Sequence, residues 1–188
     1  MVNSDNIFLD MVGDDERAFT KLFHDFLRFK VVRKLLLSLL KNNGFHISRV
    51  KYEHFKINDN NGQYGNFDLV IKNAEVDVII EIKIKNTTLT DNQPLGYLEY
   101  LAKESKKSFK ALVLIAPKDY TYENDYKNQV SSFKRSSAIE IFTPIIYWNQ
   151  YIESFKKEEL NEINTLFYEY YRFLIHFFGI IENNYYQL

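Results

Sequence analysis

The 188-residue chain contains no cysteine. That excludes a disulfide framework, thiolate metal sites and a cysteine nucleophile, and it fits a reducing compartment. Proline and glycine are sparse, at three and six residues, and no repeat or low-complexity tract interrupts the chain. The expectation is one domain over residues 1–188. No apolar run approaches the roughly 20 residues that a bilayer-spanning helix needs. The first ten residues lack a basic stretch followed by an apolar run, so no leader is expected. These absences predict a cytoplasmic protein with no membrane partner. Charge is not of one sign either: the formal net charge is -1, so the whole molecule is no electrostatic trap for polyphosphate. The four histidines, His24, His46, His54 and His176, show no metal-ligand spacing. There is no Walker-type glycine-rich loop and no G-x-S-x-G elbow.

What is present is an alternation of helical and strand patterns. Residues 14–42 carry apolar positions at helical spacing: Phe19, Leu22, Phe23 and Phe26, then Val32, Leu35, Leu36, Leu39 and Leu40, slightly out of phase. A break over 29–31 accounts for the shift. Strands are expected over 47–57, 66–71 and 76–85, with turns at 58–62 and 73–75. A helix is expected over 92–105, with Pro94 in its first turn, then a buried strand over 109–116. Residues 119–138 read as a polar loop with one helix at most. A strand is expected over 139–148 and a long helix over 158–178, capped by Gly179. The order predicts a mixed α/β domain with a central sheet flanked by helices.

Glu81 and Lys83 lie two apart on the third strand, so they share a face, while Ile80, Ile82 and Ile84 share the other. A hairpin through 73–75 brings Asp68 of the second strand beside Glu81. Two carboxylates and an ammonium then meet at one place. Such a set suits a hard divalent cation, which takes carboxylate oxygens and water and can activate a water toward a phosphoryl group. The competing reading of Ile80-Glu81-Ile82-Lys83-Ile84-Lys85 is a half-exposed amphipathic strand with its charges in water. That is the commoner meaning of such alternation. Asp68, between Phe67 and Leu69, weighs against it, because a carboxylate in a central strand needs a partner.

Asn66-Phe67-Asp68 followed by Glu81-Ile82-Lys83 resembles the PD-(D/E)xK nuclease superfamily, with phenylalanine where the family name has proline. Gln93-Pro94-Leu95-Gly96-Tyr97 is similar to the Q-x-x-x-Y element of its RecB-like branch. The resemblance covers about residues 14–116 and implies a restriction-endonuclease-like αβββαβ core. It implies that Asp68, Glu81 and the Ile82 carbonyl bind Mg2+ or Mn2+, and that Lys83 positions or activates water. Gln93 and Tyr97 would assist through hydrogen bonds to Lys83, a carboxylate or a phosphate. It implies hydrolysis of DNA phosphodiesters, in restriction, phage defence or DNA processing. Glu16 on the opening helix has two readings: a carboxylate facing the metal, or a first-turn acid serving the helix dipole.

Lys103, Lys106, Lys107 and Lys110 form a locally basic run with two readings, a phosphate contact or a solvated surface. The aromatic stripe from Phe167 to Phe178 reads either as core or as a homodimer face. Two further readings stand beside the nuclease. One is a catalytically silent member that binds nucleic acid or a protein partner. The other is an enzyme that cuts only after an activating partner or nucleotide has bound.

Overall fold

A computed structural model describes residues 6–45, 50–157 and 165–179. The start of the expected first strand, at 47–49, and residues 158–164 of the expected last helix lie outside them. The described residues build an α/β fold around one mixed sheet of five strands in the order β1-β2-β3-β4-β5. These are β1 (Phe55–Asn60), β2 (Asn66–Lys72), β3 (Val76–Ile82), β4 (Phe109–Ala116) and β5 (Ile145–Tyr147). The β1–β2 and β2–β3 pairs are antiparallel; the β3–β4 and β4–β5 pairs are parallel. β3 is buried along its whole length, as expected for a parallel strand covered on both faces.

The helices are α1 (Ile7–Val12), α2 (Glu16–Phe26), α3 (Lys30–Asn42), α4 (Leu95–Lys103), α5 (Glu123–Ser136), α6 (Trp148–Lys157) and α7 (Thr165–Phe177). Asp15 caps α2, its carboxylate accepting the Arg17 N–H at 2.8 Å. The break falls at residues 27–29. There Arg33 Nη1 donates to the carbonyls of Leu27 and Arg28, at 2.7 and 2.8 Å, taking up groups that the end of a helix leaves open.

Two apolar layers enclose the sheet. Leu69, Ile71, Val78, Ile80, Ile82, Val113 and Ile115 face α1, α2, α3, α6 and α7 in the larger core. Val70, Ile79, Leu112 and Leu114 face α4 and α5 in the smaller one. The aromatic stripe of α7 packs inward: the Tyr170 ring stacks on Phe26 with centroids 3.8 Å apart, and Phe173 and Leu174 are fully buried. Much of the stripe is therefore core. No helix among the described residues is long and apolar enough to cross a membrane.

Several elements differ from expectation. β1 begins only at Phe55, after a 3-10 turn, and runs through Asn60, so part of the expected turn at 58–62 is strand. Within expectation, the polar stretch 119–138 holds one helix, the 14-residue α5, on which only Tyr126 and Val130 are buried. The strand expected over 139–148 shrinks to three residues. Pro144 has no N–H for a ladder, and upstream of it the pairing is a single bridge from Phe142 to Ala111. Trp148 opens a helix: Trp148, Tyr151, Ile152 and Phe155 are buried at helical spacing.

Candidate metal-binding cleft

Leu69 sits opposite Ile80 in the β2–β3 register, which brings Asp68 alongside Glu81 at the end of β3. The Ile82 N–H donates to Asp68 Oδ2 at 2.9 Å, tying the carboxylate to the neighbouring strand. Lys83 continues the ladder past β3, its N–H donating to the Ile115 carbonyl at 2.8 Å. Its own carbonyl accepts from Trp148 Nε1, also at 2.8 Å and buried. The strand end that carries the charges is thus held from both sides.

The first residue of α2 completes the cluster. One carboxylate oxygen each of Glu16, Asp68 and Glu81 lie within 4.8 Å of one another. Lys83 Nζ is 2.8 Å from Glu81 Oε1 and 3.5 Å from Glu16 Oε1, so it is the cation these carboxylates share. The other Glu16 oxygen accepts from the Ile84 N–H and from Thr87 Oγ1, both at 3.4 Å. Glu81 and Lys83 are 1% and 2% exposed. That excludes the solvated amphipathic strand as the explanation of the sequence pattern.

A carboxylate as buried as Glu81 needs compensation, and the Lys83 ammonium supplies part of it. Neither of its oxygens has a hydrogen-bond partner of good geometry among the described residues. Lys83 Nζ, 2.8 Å from Oε1, is its ion-pair partner. Burial and the charge of Asp68 push the Glu81 carboxyl well above the ordinary range, with Lys83 opposing. Burial also lifts Asp68 to about 6, partly offset by its bond from Ile82. For Lys83, burial acts to release the proton, but the charges of Glu81 and Glu16 outweigh it and the ammonium is held more firmly than usual. Lys83 is accordingly a fixed cation.

A cleft of about 580 Å3 opens over the cluster, lined in part by Glu16, Arg17, Asp68, Lys83, Gln93 and Tyr97. Glu81 lies beneath its floor. Gln93 and Tyr97 do share a face and are bonded to each other, Gln93 Nε2 donating to the Tyr97 hydroxyl at 3.0 Å. Their other bonds differ from those the resemblance implies. The Tyr97 hydroxyl donates to the Asn66 carbonyl at 2.6 Å, and Gln93 Oε1 accepts from the Thr90 N–H at 3.2 Å. The pair thus anchors the start of β2, two residues before Asp68, to the segment that leads into α4.

The four lysines singled out in the sequence are not at the cleft. Lys110 pairs with Asp77 in register, whereas Glu81 pairs with Leu114. Four residues of strand separate the two positions, about 13 Å along the sheet. Lys103 sits at the far end of α4, on Glu99 at 2.7 Å. Asn60, Asn92 and Arg17, absent from the sequence reading, line the cleft instead. Arg17 adjoins Glu16, and that adjacency was the signal that could have found it.

Fold and site together define an α/β protein with a buried carboxylate–lysine cluster at the end of a central strand. No protein-family model, curated protein or solved structure matches the chain.

Proposed function

We propose that the protein is a metal-dependent nuclease of the PD-(D/E)xK type, with a restriction-endonuclease-like core, that hydrolyses phosphodiester bonds of DNA. The observation that carries the reading is the convergence of the Glu16, Asp68 and Glu81 carboxylates beside Lys83 at an open cleft, with both Glu81 oxygens buried and without a hydrogen-bond partner among the described residues. An all-oxygen, carboxylate-rich donor set fits Mg2+ or Mn2+. Glu16, Asp68 and Glu81 would hold the ion, with the Ile82 carbonyl as the further ligand the resemblance implies. Bound there, it supplies Lewis-acid polarisation of the phosphoryl group and lowers the pKa of water.

The protein's own groups divide the remaining work. Lys83 would orient the attacking water and stabilise negative charge on the phosphoryl oxygens. Burial lifts the Asp68 carboxyl to about 6, so it holds its proton more firmly than an ordinary aspartate. Tyr97 and Gln93 act indirectly, holding the strand that carries Asp68. A place in restriction, phage defence or DNA processing belongs to the same proposal.

The test is cleavage of supercoiled plasmid and linear duplex with Mg2+ or Mn2+, comparing wild type with Glu81→Ala and Lys83→Ala, each checked for folding by circular dichroism. Cutting by wild type and failure of both folded variants is the expected outcome. Metal binding that calorimetry detects in wild type but not in Asp68→Ala, without any cutting, would instead favour the partner-activated form. Neither binding nor cutting sinks the reading.

A further inference from the structure

We infer that Arg17 anchors a phosphate of the substrate strand at the mouth of the cleft, an inference that rests on the nuclease reading above. The argument is a charge count. Glu16, Asp68 and Glu81 bring three negative charges when ionised and Lys83 brings one positive, leaving two negative charges. A divalent ion brings the cluster to zero. Each backbone phosphate entering the cleft adds a negative charge that nothing in the cluster then balances.

The cations available to meet it are few. Among the residues lining the cleft, only Arg17 and Lys83 are cationic. Lys83, paired with Glu81 and Glu16, serves the reacting phosphoryl group and leaves the neighbouring phosphates of the strand unmatched. Lys85, nearby in sequence, is committed to Asp14 at 2.6 Å. The lysines at 103, 106, 107 and 110 belong to the other end of the sheet. Arg17 is exposed, and its guanidinium makes no salt bridge or hydrogen bond among the described residues. Its backbone is nevertheless fixed, because its N–H is held by the Asp15 cap at 2.8 Å. A fixed base carrying an uncommitted, planar, five-donor cation beside an anion-accepting cleft suits bidentate recognition of phosphate. The rest of the rim is neutral: Asn60, Asn66, Asn92 and Thr90 can accompany a strand but cannot offset its charge.

The experiment is fluorescence anisotropy of a labelled DNA duplex with Ca2+ present, over a series of KCl concentrations, alongside steady-state cleavage with Mg2+. Wild type, Arg17→Ala, Arg17→Lys and Lys106→Ala are compared. Arg17→Ala is expected to weaken binding several-fold and to make the log–log salt dependence shallower by about 0.9, the loss of one phosphate contact. KM should rise while kcat holds within about twofold, as for uniform binding lost from ground and transition states alike. Arg17→Lys should keep the salt slope, because the charge remains, and Lys106→Ala should match wild type. If wild type binds and cuts but Arg17→Ala has an unchanged slope and KM, the anchor is refuted and the nuclease reading survives. A loss confined to kcat, or an equal loss in Lys106→Ala, refutes it too. If wild type neither binds nor cuts, both readings fall together.

Discussion

At the scale of single residues, the asymmetry between Glu81 and Lys83 is the most informative feature of the site. Both are buried, but they are not equivalent. Lys83 is the common counter-charge of neighbouring carboxylates, so removing it leaves buried anions unmatched. Lys83→Met should cost about 3–5 kcal/mol, seen as a lower urea midpoint with little change in slope. Glu81 is a charge that its surroundings poorly satisfy. Glu81→Gln keeps the shape and removes that charge, so its urea midpoint should equal or exceed wild type while metal binding in calorimetry disappears. A Glu81→Gln protein as unstable as Lys83→Met would make this carboxylate a structural ion-pair partner and not a ligand held ready.

At the scale of elements, the site depends on a close approach that glycine permits. Gly96 lies in the first turn of α4, where an added Cβ would meet the Tyr64 carbonyl oxygen at 2.9 Å and the Asn92 Cβ at 3.2 Å. The first of these is backbone and cannot swing aside. Gly65, which closes the 3-10 turn Gly62–Tyr64, has φ +95, a conformation that favours glycine. Together they let α4 lie against the turn that precedes β2, which is what brings Tyr97 within 2.6 Å of the Asn66 carbonyl. Alanine is ordinarily better than glycine within a helix. Here the contact should reverse that order, and Gly96→Ala should lose about 1–3 kcal/mol from overpacking. Equilibrium unfolding in urea decides it; a stabilised variant would show that α4 and the turn can separate at no cost.

At the scale of the whole molecule, the sheet is sealed between two apolar layers and its charged cluster sits at the strand ends, so proton occupancy of the cluster is coupled to folding, and metal occupancy would be under the proposed function. The Asp68 carboxyl rises from an ordinary 3.8 to about 6 in the fold, chiefly by burial. A raised value means that the folded state holds the proton more tightly than the unfolded chain. The resulting stabilisation is complete below about 3.8 and is lost as pH rises through about 6. Glu81, also raised by burial, works in the same direction. A divalent cation bound in place of these protons restores stability by mass action. Thermal unfolding with and without Mg2+ should therefore show a larger rise in Tm at about pH 8 than at about pH 5, where protons compete for the same oxygens. An equal rise at both would remove Asp68 and Glu81 from the ligand set.

The sequence by itself determined the alternation of elements around the sheet and the heart of the cluster. Local periodicity dictates the faces of β3, and a three-residue turn at Asn73 dictates a hairpin, so Asp68, Glu81 and Lys83 had to meet. The break between α2 and α3 was equally legible, because a phase shift in an apolar stripe is a local property. What stayed hidden depended on contacts between distant segments. The extent of α5 was hidden, because it buries too few apolar side chains to mark its ends. The helical spacing from Trp148 to Phe155 became decisive only once Trp148 reached across to the Lys83 carbonyl. The burial that makes Glu81 an unsatisfied carboxylate, Lys83 a fixed cation and Asp68 an acid near 6 comes from layers of helix on both faces of the sheet. So does the separation of the lysine run from the cleft, which is a matter of strand register. Pattern in a sequence specifies which way a side chain points; only packing specifies how much water is left around it, and that sets the charge chemistry.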